Sequence, residues 1–112
     1  MIVMHQMTTT SFEIAGYKID KTFGLVRGIT VRSRSIVGNF GAAIQMLFGG
    51  NISLYTSMCE RAREDAFNLM LEHASQHGAN AVIGVRYDAT EIMGGVSEVL
   101  CYGTAVKVSE IS

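Results

Sequence analysis

At 112 residues and 12.1 kDa the chain has the size of one domain, long enough to bury about two thirds of the surface its unfolded form would expose. Apolar residues at 48% against charged residues at 17% exclude an intrinsically disordered chain. A net charge of −1 and a pI near 6.3 offer nothing to neutralise a phosphate backbone, so no nucleic-acid partner is expected, and so few charges leave apolar surface for other copies of the chain to cover.

The first residues, MIVMHQMTTTSFEIAG, lack the basic start and long apolar run of a signal peptide. Residues 7–13 (MTTTSFE) are rich in β-branched side chains and suggest a short edge strand, closed by a turn at Gly16. Residues 19–31 predict a strand with Ile19, Phe23, Leu25, Ile29 and Val31 on one face, Lys21 and Arg27 being the exceptions there. Gly24 and Gly28 fall on the opposite face, where another element can approach the backbone closely.

Residues 35–59 carry no charge, enough chain to span a bilayer. Asn39, Gln45, Asn51 and Ser53 interrupt the stretch, and Gly38, Gly41, Gly49 and Gly50 break any single helix, so a packed segment at a subunit contact is expected and no membrane partner. Within it, residues 35–48 predict a short helix, held by tertiary packing because Gly38 and Gly41 weaken it by about 1 kcal/mol each.

Residues 53–77 predict the long helix, with Ser53 as its cap and Gly78 just past its end. Tyr55, Met58, Cys59, Ala62, Ala66, Leu69, Met70, His73 and His77 share one side at helical spacing, and Arg61 and Asp65 stand four apart as a surface pair. Residues 80–93 predict a strand in which Ile83, Val85, Tyr87 and Ala89 alternate with Gly84, Arg86, Asp88 and Thr90. Gly94-Gly95 signals a hairpin turn. The returning strand, 96–108, sets Val96, Leu100, Tyr102, Val106 and Val108 against Val99, Cys101, Gly103 and Ala105. The expectation is one α+β domain over residues 1–112, a small antiparallel sheet with one long helix and a shorter helix in the order β-α-α-β-β.

Chemistry-bearing residues are few. His73 and His77, four apart on a helix, point two imidazoles the same way and are the candidate metal ligands. The bland alternative is an interface histidine beside a helix cap. Cys59 shares their direction but lies roughly 20 Å along the axis, so a third ligand would come from a loop, the N-terminus or a neighbouring subunit. Met1, Met4, His5 and Met7 form a second group of donors, suited to Cu(I), so the candidate cofactor is a divalent or soft metal. Cys59 and Cys101 form no CxxC and read as small core residues of a protein from a reducing, cytoplasmic compartment. No acid–base or nucleophile constellation points to an enzyme.

The sequence resembles the small bacterial YbjQ-like family through Gly24-Leu25-Val26-Arg27-Gly28, Gly49-Gly50, Tyr55, Ala62-Arg63-Glu64 with Ala66, the run Gly78 to Val85, and Tyr102-Gly103-Thr104-Ala105-Val106. The likeness spans roughly residues 8–108. It implies a dodecin-like subunit, a homo-oligomer closing into a ring of five, and a heavy-metal-binding label with no catalytic set attached. His73 and His77 stand outside that pattern. By analogy with the same fold, Tyr55, Tyr87 and Tyr102 would line pockets between subunits for a small ligand or cofactor.

Overall fold

The computed structural model describes residues 7–33, 52–93 and 96–111, with the backbone alone for 33 and 52–58. Among these residues the order is β1 (Tyr17–Ser33), α1 (Ile52–Gln76), β2 (Ala81–Met93) and β3 (Val96–Glu110). The three strands form one antiparallel sheet in the order β1-β3-β2, so the last strand is central. The expected shorter helix, 35–48, and the Gly94-Gly95 turn lie outside the described residues, although Met93 and Val96 on either side of that turn pair with each other.

The N-terminal segment does not form the expected edge strand. Thr8 makes a single bridge to Val82, and the amides of Thr9 and Val85 exchange bonds with the carbonyls of Val82 and Thr9 at 3.1 and 3.0 Å. The Ser11 carbonyl still accepts from the Gly84 amide at 2.8 Å, and alongside it the hydroxyls bond locally. Thr9 Oγ1 accepts from the Ser11 amide at 3.1 Å, and Ser11 Oγ donates to the Glu13 carbonyl at 2.8 Å. Such local side-chain bonds compete with a ladder and turn the chain away from it.

β3 keeps its expected alternation, whereas β1 and β2 each lose theirs at a glycine, with further register shifts between Ile19 and Lys21 and between Glu91 and Met93. In β1 the register shifts between Thr22 and Gly24, where Gly24 has φ +105°. In β2 it shifts between Ile83 and Arg86, where Gly84 has φ +63°. An extra residue at a bulge exchanges the two faces of a strand. Phe23 therefore packs with the core under the helix, away from Leu25, Ile29 and Val31, and Ile83 parts company with Val85. Both bulges face the same stretch of β3, near Thr104 and Ala105.

The sheet accordingly buries opposite faces at its two ends. On one face α1 covers Val26, Val82, Val85, Val99, Cys101 and Ala105. On the other, Met7, Ile14 and Tyr17 cover Ala81, Ile83, Val106 and Val108. The helix end is closed by Gly78 at φ +86°, with the Ala79 amide bonded to the Ala74 carbonyl and the Gly78 amide to that of Ser75, the Schellman pattern that the sequence predicts. Asn80 then starts β2 through paired side-chain bonds of 2.9 and 2.8 Å to the carbonyl and amide of Val108.

The buried arc of α1 is Ala62, Ala66, Phe67, Met70, Leu71 and Ala74, rotated from the predicted stripe. Leu69 and Cys59 are exposed, and Asp65 reaches Arg32 on β1 at 2.7 Å in place of Arg61. That ion pair is half in solvent and contributes little. The rotation follows from Gly28, which lets the helix lie directly on β1. A methyl group there would overlap the Ala66 carbonyl oxygen and stand 2.5 Å from the Met70 nitrogen and 2.8 Å from Leu69 Cβ. Backbone cannot move aside as a side-chain tip can, so Gly28→Ala is expected to destabilise the chain by about 2 kcal/mol or more, read as a lower urea midpoint.

Candidate functional site

The close seat of α1 at Gly28 brings the end of the helix against the outer edge of β1. There His73 Nδ1 accepts a hydrogen bond from the Arg27 backbone amide at 3.1 Å. One turn on, His77 Nε2 lies 3.3 Å from His73 Nε2, with ring centroids 5.1 Å apart and planes inclined by 50°. An amide can only donate, so Nδ1 of His73 is the bare nitrogen. In the neutral ring the proton then sits on Nε2 and is donated to His77 Nε2, which leaves the His77 proton on its Nδ1. The structure thus unites the two predicted histidines and adds a third member, the Arg27 amide, that no side-chain pattern could reveal.

A groove of about 320 Å³ runs beside this pair, bordered by Arg27, Ile29, Leu69, Glu72 and His73. Among the described residues no third His, Cys, Asp or Glu joins the two histidines in a ready-made metal cluster. Met1, Met4 and His5 of the predicted second donor group lie outside the described residues.

The three predicted tyrosines do not form one pocket within the chain. Tyr87 pairs across the ladder with Cys101 and faces the helix side, whereas Tyr102 pairs with Arg27 and Arg86 on the other face. The side chain of Tyr55 lies outside the described residues. Cys101 is fully buried and its Sγ donates to Met70 Sδ at 3.6 Å. Burial pushes the Cys101 thiol from 9.0 up to about 11, partly offset by a hydrogen bond from Tyr87. Burial, then the neighbouring Cys101, pushes Tyr87 from 10.0 up to about 12, with Arg63 acting in the opposite sense. Such a thiol is the reverse of an activated nucleophile.

Fold and site together define a small α+β domain in which, among the described residues, a helix covers one side of the sheet and leaves much of the other exposed, with a histidine pair at one sheet edge. A family model described as "Putative heavy-metal-binding" matches residues 6–109, and the chain belongs to that family, the YbjQ-like proteins. It is 67% identical over 102 residues to a UPF0145 protein of Burkholderia thailandensis, covering 91% of this chain and 92% of that one. A UPF0145 protein of Burkholderia mallei is 66% identical over the same length. Among solved structures, a protein of unknown function of the DUF74 family from Pediococcus pentosaceus shares the fold at a TM-score of 0.58 and 18% identity, covering 91% of this chain and 96% of that one. No helix among the described residues is long and apolar enough to cross a membrane.

The raised Cys101 and Tyr87 groups carry a pH dependence of definite sign. Unfolding returns both to their ordinary values, so above pH 9.0 the unfolded chain loses protons that the folded chain keeps. Their contribution is whole below pH 9.0 and is lost as the pH climbs through about 11 and about 12. Guanidinium midpoints measured across this range are expected to fall, and Cys101→Ala to flatten the lower part of the slope; an unchanged slope in that variant would refute the assignment.

Proposed function

We propose that the chain is a non-enzymatic, self-assembling subunit that closes into a ring. The observation that carries this reading is the bare half of the sheet. Leu25, Ile29 and Val31 are exposed on the face opposite α1, at 64, 42 and 52%, with Leu100 and Tyr102 beside them in register. A 17-residue strand reaches about 56 Å, whereas a 25-residue helix reaches about 38 Å and covers one face only. The radius of gyration, 17.2 Å, exceeds the roughly 13 Å of a compact chain of this length.

A lone copy would therefore keep Leu25, Ile29 and Val31 in water on one face, with Arg27 between the first two. A second copy is the fitting occupant, because this face carries charges of both signs in register, Arg27 and Arg86 beside Tyr102 and Asp88 and Glu98 beside Leu100 and Val31, and β1 and β2 lie at the edges of the sheet. Heterologous contacts of this kind close around a cyclic axis. Five copies and a dodecin-like arrangement are what the family resemblance adds. The buried, protonated Cys101 supports a role other than nucleophilic catalysis, and the free thiols favour the cytoplasm. The same placement supports a second reading, small-ligand binding between subunits. Tyr102 stands on the bare face between Arg27 and Arg86, and only a neighbouring copy could bring a Tyr87 opposite it.

Replacing Leu25 and Ile29 together by glutamate puts two charges into this face without touching the core. Light scattering after size exclusion is expected to show about five copies for the parent chain and one for the variant, with an unchanged circular dichroism spectrum. A variant that still assembles would contradict the proposal.

A further inference from the structure

The geometry points to His73 and His77 as a two-donor seat for a tetrahedral divalent cation, zinc first, whose binding turns the His73 ring away from the edge of β1 and frees the Arg27 amide. This goes beyond self-assembly and needs only one chain. Two ligand nitrogens at about 2.05 Å from a tetrahedral ion stand about 3.3 Å apart, and the two Nε2 atoms already lie at 3.3 Å before the ring turns, so a rotation that keeps their spacing suffices. Imidazole nitrogen is a good ligand for zinc, and His77 is exposed with His73 partly so, which leaves the remaining positions of the ion open to water or to a donor from outside the chain.

The tautomers make the site conditional. His77 already offers a bare Nε2, but His73 carries its proton there because Nδ1 accepts from Arg27. For an ion to bind both Nε2 atoms, two of its water ligands leave and the His73 proton moves from Nε2 to Nδ1 through solvent. The ring stays neutral and no electrons change hands. Nδ1–H would then confront the Arg27 N–H, two donors with no acceptor between them, so that hydrogen bond breaks. The groove bordered by Ile29, Leu69 and Glu72 gives the ring room to turn. Occupation of the pair and capping of the β1 edge therefore exclude each other. That makes the site a reversible, responsive one, in contrast to the closed four-ligand seat of a structural zinc.

The test is a titration of the full chain, isotopically labelled, with zinc chloride, followed by nuclear magnetic resonance. Saturable uptake is expected, with the ring nitrogens of His73 reporting transfer of the proton from Nε2 to Nδ1. The Arg27 amide should shift and exchange with solvent about fivefold faster, the factor that a hydrogen bond of ordinary net worth confers. His77→Ala, at an exposed position just past the helix, should keep the fold and the Arg27 bond. It should lose at least about tenfold in affinity, the lower end of what even outer-shell changes cost. Absence of saturable uptake, equal uptake by His77→Ala, or an Arg27 amide unmoved at saturation would each overturn the inference. All of these readouts lie within one chain, so they are decided whether or not the chain assembles.

Discussion

The contact on which the structure turns is backbone against backbone: Gly28 of β1 under the turn of α1 that runs from Ala66 to Met70. Only a residue without a side chain permits it. It sets the height of the helix, and much else follows from that height. Asp65 comes within reach of Arg32, Met70 is sunk against Cys101, and His73 is carried to the edge of β1, where its ring meets the Arg27 amide. An ordinary side-chain layer would hold the helix farther off and leave these pairs apart.

The second constraint is that, among the described residues, one helix and a short N-terminal strap cannot cover both faces of a long sheet. The chain divides the work by length. α1 protects one face, the strap protects the other at one end, and the bulges at Gly24 and Gly84 let the apolar side chains change sides between them. What remains is the stretch of sheet around Leu25, Ile29, Leu100 and Tyr102, where neither reaches. At roughly 25 cal/mol per Å² of apolar surface removed from water, even a modest covered area there is a substantial driving force for association.

Much of this was legible in the residues. The strands of the hairpin, the long helix and its Gly78 stop follow from alternation, helical spacing and a single glycine, and all three appear within a few residues of their expected bounds. Gly28 was legible as a place of close approach. The sides of Phe23 and Ile83 were not, because a bulge leaves the alternation of its neighbours intact and shows only in the pairing. The helix was misread by a rotation. Phe67 and Leu71 are buried while Leu69 and Cys59 are exposed, since the direction of the buried arc is set by where β1 lies. The histidine pair was visible as a spacing, but its tautomers depend on an amide 46 residues away in sequence. That Tyr87 and Tyr102 stand on opposite faces of the sheet shows only in the register.

On the proposed assembly, a lone copy leaves one face of its sheet unfinished. Sedimentation of the unmodified full chain over about a hundredfold dilution tests it most directly, since a specific assembly keeps its size until its dissociation constant is crossed. A single boundary at about five copies over most of that range agrees with the account. A lone 12.1 kDa species at every concentration would contradict it.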